Sequence, residues 1–432
     1  MANFDYSIFF TNVIGFESIK QELYMQLDAL NNKEKYHALG AKNEKGLVLY
    51  GLPGTGKSTM ALAFAKAAGS FGYETIVLKK NAADGKFTDS LKEVLDRVKH
   101  KKNAVLVLDD VDRFGSKKDE DPFVMIQSML DDIEDSVFVI CTCNDIHSLP
   151  ASLIRSGRLG HRIQVNPCRG KDAAEIIKYY LRDKKVSKDV DPDEIRRYLD
   201  GHTVATLQSV IEDAAVYSAY NNKSEIDTDD LLQSFLRFLH KSPRSCIDDT
   251  DIQDIVTHEL GHTLVTEVLE PGAVSLVSIK QYESYTKGLT LFDNSEDTYP
   301  NVECMKKRII ETLAGKAANE VLYGKTDLGC CGDLLSSFYR CGELISELAM
   351  LGFSYQDGKA FDDDHTGLVR DKQIQAVQNL VEKYYQYAKK IIIDNKDLFK
   401  KLEAELLVKK VLTFKDIARI KATCKITEPY LI

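Results

Sequence analysis

The residues Thr257-His258-Glu259-Leu260-Gly261-His262 set two histidines four positions apart around a glutamate, inside the apolar helical pattern IVTHELGHTLVTEVL. On a helix that spacing puts both imidazoles on one face, one turn apart, where they can share a tetrahedral Zn2+. Zinc polarises a carbonyl and acidifies water, and Glu259 is the candidate general base facing that water. A lone histidine on an apolar helix face is ordinarily a core residue; two framing a glutamate read as a metal site. Such a site needs a third protein ligand and one open position.

A second motif, Gly51-Leu52-Pro53-Gly54-Thr55-Gly56-Lys57-Ser58, fits the phosphate-loop pattern G-x-x-x-x-G-K-[ST] and runs on through Thr59 into TMALAFAKAA. Its glycines let successive N–H groups curl around phosphate oxygens, and the helix N-terminus adds a favourable dipole. Lys57 would neutralise the β- and γ-phosphates of ATP, and Ser58 would bind Mg2+. Farther on, the run Val105-Leu106-Val107-Leu108 ends in Asp109-Asp110. A carboxylate at a strand's end can hold Mg2+ through water, the role expected of Asp109, and Asp110 can orient the attacking water. Asn144, after the next apolar run, either touches the γ-phosphate or that water, or serves as a turn residue.

These residues need elements to position them. Short apolar runs at 46–51, 75–79, 104–109, 137–141 and 162–165 alternate with segments of helical length, the pattern of a parallel sheet flanked by helices. From about 171 to 241 the apolar spacing is wholly helical, as in IIKYYL and LQSVIEDAAVYSAY. The polar, proline-bearing HKSPRSCIDDTD marks a domain boundary. Beyond it the chain is mainly helical, with one β-like stretch near 272–292. Within that stretch, Lys287–Phe292 reads as an edge strand able to hold an extended peptide, or as an ordinary hairpin strand.

A chain of 432 residues is too long for one ordinary core, and 44% hydrophobic with 28% charged residues is a globular balance. A net charge of −9 gives no reason to expect nucleic acid as the main partner. No window long enough to span a bilayer is continuously apolar, and the start lacks a secretion signal, so a soluble, cytoplasmic protein is expected. Nine cysteines, an odd count without paired C-x-x-C spacings, point to reduced thiols.

The segment Leu153-Ile154-Arg155-Ser156-Gly157-Arg158-Leu159 resembles the AAA+ ATPases, in which arginines so placed act in trans on a neighbour's γ-phosphate. FTNVIGFESIKQEL, EKYHALGAKNEKGLVLYG and Gly201-His202-Thr203-Val204-Ala205 are similar to FtsH-type proteases, as are THELGHTLV, ETLAGKAANEVLYG and GCCGDLLSSF in the second half. The resemblance covers about residues 9 to 425. It implies an α/β AAA+ domain over 1–168, a helical lid over 169–241 and a mainly α-helical zincin-type peptidase over 242–432. It also implies nucleotide contacts at Ile14 and Gly15, a trans-acting Arg158, a homohexameric ring and protein substrates. Asp333 becomes the third zinc ligand, ahead of Glu320, which supports the site from outside it, and Cys331, a soft donor two residues away.

The chain departs from the family at several points. Asp109-Asp110 stands where the family has Asp-Glu, and His161 replaces a second arginine. In NAADGKFTDSLKEV, the place of the substrate-gripping pore loop, Phe87 is the single aromatic. The family's N-terminal membrane anchor is not expected here. The reading is an ATP-dependent zinc metalloendopeptidase. Its rivals are an ATP-driven remodelling factor with an inactive peptidase-like domain, and a peptidase whose nucleotide domain only assembles the ring.

Overall fold

The computed structural model describes residues 5–41, 44–80, 87–115, 121–133, 137–240, 252–280, 288–293, 301–325, 330–350 and 367–428. They divide into two compact units, Met1–Ser234 and Phe235–Ile432.

The first unit opens with α1 (Glu17–Asn31) and α2 (Lys33–Ala38), then alternates strand and helix. The order is β1 (Gly46–Tyr50), α3 (Lys57–Ser70), β2 (Glu74–Lys79), α4 (Phe87–Lys99), β3 (Ala104–Asp109), α5 (Asp121–Asp132), β4 (Val137–Cys143) and β5 (His161–Gln164). The strands pair in the order β2-β3-β4-β1-β5, every neighbouring pair parallel. β3 and β4 are buried along their whole length, which is why they read as unbroken aliphatic runs. The edge strand β2 alternates half-buried and exposed residues. All five expected strands form, and β4 runs on to Cys143. The helical stretch becomes α6 (Gly170–Leu181), α7 (Pro192–Leu199), α8 (Val204–Tyr220) and α9 (Thr228–His240).

Phe87 requires a correction. It is no loop residue but the first residue of α4, 7% exposed, with its ring edge-on to Phe114 at 4.8 Å. The cause is helical spacing: Phe87, Leu91, Leu95 and Val98 form one buried face. Residues 81–86 of the expected pore loop lie outside the described residues, as does most of the expected 240–251 boundary.

The second unit contains α10 (Ile252–Leu269), β6 (Val274–Ser278), β7 (Leu289–Phe292), α11 (Val302–Tyr323), α12 (Cys331–Met350), α13 (Gly367–Asp394), α14 (Lys396–Lys409), β8 (Val411–Thr413) and α15 (Phe414–Lys421). Val256, Leu260 and Leu264 of α10 join a core with Ile310, Leu313 and Ala317 of α11 and with Ile391, Phe399 and Leu402. The helix bearing the histidines is thus central to its unit. The long closing helical run breaks at buried Asn395, whose amide nitrogen donates to Ile391 O at 2.9 Å and Thr427 O at 3.0 Å. Its Oδ1 accepts from Thr427 N at 2.8 Å. β8, which no sequence pattern announced, pairs antiparallel with β6 and completes the sheet β7-β6-β8. Among the described residues no helix is long and apolar enough to cross a membrane.

Candidate functional site

The phosphate loop leaves β1 at Tyr50 and enters α3 at Lys57. Gly56, the residue before the helix, has φ +97° and open space where a Cβ would lie, so its backbone conformation alone calls for glycine. Lys57 is buried, and its ammonium donates to Gly51 O at 2.8 Å, Leu52 O at 2.8 Å and Asn144 Oδ1 at 3.1 Å. Burial pulls its pKa down, against the attraction of Asp110, Asp112 and Asp109. Thr55 is buried and donates to Leu52 O at 2.9 Å, whereas Pro53, Gly54 and Thr59 are exposed. A cation seated under a glycine loop at a helix N-terminus is a donor set that suits a polyphosphate.

Beside the loop, Asp109 Oδ1 accepts from Ser58 Oγ at 2.5 Å and from Thr142 Oγ1 at 2.8 Å. Its Oδ2 accepts from Lys79 Nζ at 2.8 Å. Burial works against its ionisation, but those bonds hold the carboxyl below the usual range. Ser58 and Asp109 therefore meet as an oxygen pair of the kind Mg2+ takes. Asp110 adopts φ +56° and lies 3.6 Å from Arg113 Nη1 and 3.8 Å from Lys79 Nζ. Asn144 is fixed from below, its amide and side-chain nitrogens both 3.2 Å from Asp112 Oδ2.

Ile14, Gly15 and Arg158, also expected at the nucleotide, have other neighbours. Ile14 and Gly15 line an open cleft of about 730 Å³ with Tyr6, Phe10, Tyr24 and Asp28. Arg158 is buried and grips Asp131 with Nε–Oδ1 at 2.8 Å and Nη2–Oδ2 at 2.6 Å, while Nη1 donates to Ser152 O at 2.6 Å.

In the second unit, His258 and His262 of α10 meet Asp333 of α12. His258 Nε2 lies 3.2 Å from His262 Nε2, and Asp333 Oδ2 lies 3.2 and 3.3 Å from those two nitrogens. Among the described residues these three form the one cluster able to hold a metal ion. Ligands ~2.0–2.1 Å from a tetrahedral centre stand ~3.3–3.4 Å from each other, so the triangle has the size that zinc requires. His262 Nδ1 donates to the Glu311 carbonyl at 2.8 Å, which leaves Nε2 as the atom available to a metal. Burial opposes the charge on Asp333, but hydrogen bonds from His258 and His262 drive its carboxyl well below the usual range.

Glu259 is buried, and its Oε2 accepts from Thr290 Oγ1 of β7 at 2.7 Å. At Gly315 on α11, a Cβ would come within 2.5 Å of His258 Cε1 and 2.7 Å of His262 Nε2, so the two rings occupy space that only glycine leaves. Glu320 does not join the metal cluster. Its carboxylate accepts from Tyr385 Oη and, at 2.6 Å, from Lys389 Nζ of α13. Cys331 is exposed and is not part of the cluster. Sequence reasoning missed Thr290, Gly315 and the Glu311 carbonyl. All three lie in the family-like or edge-strand stretches KGLTLF and ETLAGKAANEVLYG, but no spacing within those stretches marks a role for them.

A nucleotide loop with its acidic partner in one unit, and a two-histidine, one-carboxylate centre with a buried glutamate in the other, define an ATPase joined to a zinc peptidase. Residues 47–167 match the model of the ATPase family associated with various cellular activities (AAA), and residues 245–420 match peptidase family M41. The chain is 25% identical to ATP-dependent zinc metalloprotease FtsH 2 of a Thermoanaerobacter species, over 95% of this chain and 82% of that protein. It is 27% identical to the chloroplastic ATP-dependent zinc metalloprotease FTSH of Capsicum annuum, over 93% of this chain and 66% of that protein. A third relative, FtsH 2 of Symbiobacterium thermophilum, is 27% identical over 95% of this chain and 74% of its own length. The chain is an ATP-dependent zinc metalloprotease of the FtsH type, with ATP, Mg2+ and Zn2+ as its cofactors.

Proposed function

We propose that this protein spends ATP to deliver loosely folded polypeptides to a zinc site formed by His258, His262 and Asp333, where Glu259 is the general base. The observation that carries this reading is the triangle of 3.2, 3.2 and 3.3 Å between the three candidate ligand atoms. Zinc held there supplies Lewis acidity to the scissile carbonyl and to water. Glu259 takes the proton of the attacking water and returns it to the departing amine. The Thr290 hydroxyl fixes the carboxylate for that transfer. β7 is an edge strand of its sheet, so an extended substrate can add to it by main-chain hydrogen bonds. Lys287, at the start of that expected strand, lies outside the described residues.

In the other unit Lys57 and Ser58 bind the phosphates and Mg2+ together with Asp109, Asp110 orients water, and Asn144 monitors the terminal phosphate. Ile14, Gly15, Pro53, Gly54, Thr55, Gly56 and Thr59 complete the nucleotide contacts. Arg158 acts on a neighbour's nucleotide in a ring of six, and to do so it exchanges Asp131 for phosphate. The domain limits 1–168, 169–241 and 242–432 belong to the same reading. A reducing cytoplasmic compartment suits the odd cysteine count.

The test is degradation of casein by the purified protein with ATP, with a non-hydrolysable analogue and after zinc chelation. ATP alone supports degradation, and chelation abolishes it. Glu259→Gln keeps zinc and loses cleavage, whereas Asp333→Ala loses zinc; full occupancy in Asp333→Ala would falsify the ligand set. Residues 81–86, NAADGK, contain no aromatic side chain, so the grip on substrate is weak. A destabilised tagged domain is therefore degraded faster than its stable parent, which resists by ~5–15 kcal/mol. Equal rates for the two sink that part of the reading.

A further inference from the structure

Lys79 ends β2 directly opposite Asp109 in the register of β3. Instead of pointing to solvent along the sheet edge, its ammonium turns inward to Asp109 Oδ2 at 2.8 Å, with Asp110 Oδ2 at 3.8 Å. The other oxygen of Asp109 holds Ser58 Oγ, the hydroxyl at the mouth of the phosphate loop, at 2.5 Å. One carboxylate thus links Lys79 to the phosphate-loop serine. The lysine side chain is 53% exposed and that of Asp109 10%, so the ammonium end of the pair meets water and can exchange partners while the carboxylate stays in place. Its long, flexible stem lets the head relocate without moving the strand.

We propose that Lys79 is a second cation of the nucleotide site, which leaves Asp109 for the terminal phosphate when a nucleoside triphosphate enters. The exchange frees Asp109 Oδ2 for the water shell of the divalent cation and makes Lys79 a discriminator between tri- and diphosphate. A diphosphate lacks the group that draws the ammonium away, so with ADP the Lys79–Asp109 pair persists. The inference rests on reading Gly51–Ser58 as the nucleotide loop.

The experiment is equilibrium binding of a fluorescent non-hydrolysable ATP analogue and of fluorescent ADP to the full chain, in magnesium-free and magnesium-containing buffer. Lys79→Met weakens binding of the triphosphate about tenfold without magnesium, where the lysine adds to Lys57 the screening that the divalent cation would otherwise supply, and less with it. ADP binding changes less than about twofold. Lys79→Arg restores most of the difference, and Lys79→Gln replaces the methionine variant if that one melts early. Equal losses for the two nucleotides, or no loss, overturn the proposal. With Lys57→Ala as the control, loss of all binding there alongside unchanged discrimination in Lys79→Met overturns the Lys79 role alone. Continued binding in Lys57→Ala overturns the phosphate-loop reading and the proposal with it.

Discussion

At Gly315 the approach of single atoms bears on the candidate zinc site. A methyl group there would lie 2.5 Å from His258 Cε1 and 2.6 Å from His258 Nδ1, closer than a Cβ approaches other atoms, so the ring would have to shift. Gly315→Ala is expected to weaken zinc binding by tenfold or more, judged by the ~10–100-fold effects of disturbing groups that orient metal ligands. Metal analysis beside a circular dichroism spectrum checks it: full zinc in a folded variant contradicts the packing account. Thr290→Val separates another role, because its hydroxyl touches Glu259 and none of the metal ligands. Zinc content should hold while kcat falls about tenfold, the scale of one hydrogen bond to a charged group. The candidate site residues were legible from sequence because their spacing is local: His258 and His262 are one helical turn apart, and Lys57 follows its own glycines. Thr290 and Gly315 were not, since their roles arise from approaches between segments that no local pattern encodes.

At the scale of elements, α4 replaces an expected loop residue with a core one. Phe87→Ala should cost the first unit ~3–5 kcal/mol, as large-to-small aromatic changes in packed cores do. A denaturation midpoint unchanged by that substitution would contradict the buried placement. The junction of α8 and α9 depends on Asp230, which accepts from Ser218 Oγ at 2.7 Å and Lys223 Nζ at 2.8 Å. Burial opposes its charge, but bonds from Lys223, Ser218 and the Asp227 amide hold its carboxyl below the usual range. A folded-state pKa below the unfolded one stabilises above about pH 4 and is lost as the pH falls through the folded value. Asp230→Asn should therefore lower the melting temperature at pH 7, by an amount that shrinks toward pH 3. Helix and strand alternation in the first unit was legible because each element's apolar period is its own. β8 and the break at Asn395 were not: β8 exists by pairing with β6, and Asn395 is held by Thr427, far along the chain.

Taken whole, the molecule divides into two compact units, and each offers a different candidate ligand site. Ligands that bind only the native state raise its stability by mass action. Calorimetry should therefore resolve two transitions, one raised by the ATP analogue and the other by zinc; a single transition moved equally by both argues against two cooperative units. The order of assembly along the chain also has a temporal side. α10 carries His258 and His262, yet its core partners include Phe399 and Leu402, and the sheet beside it is finished by β8 (Val411–Thr413). At ordinary synthesis rates, β8 emerges roughly ten to thirty seconds after the second histidine. The phosphate loop and all five strands of its sheet leave the ribosome before the metal helix does. The segments of the nucleotide unit are therefore synthesised before the partners that pack around the helix of His258 and His262, so nucleotide binding should precede peptidase competence during synthesis.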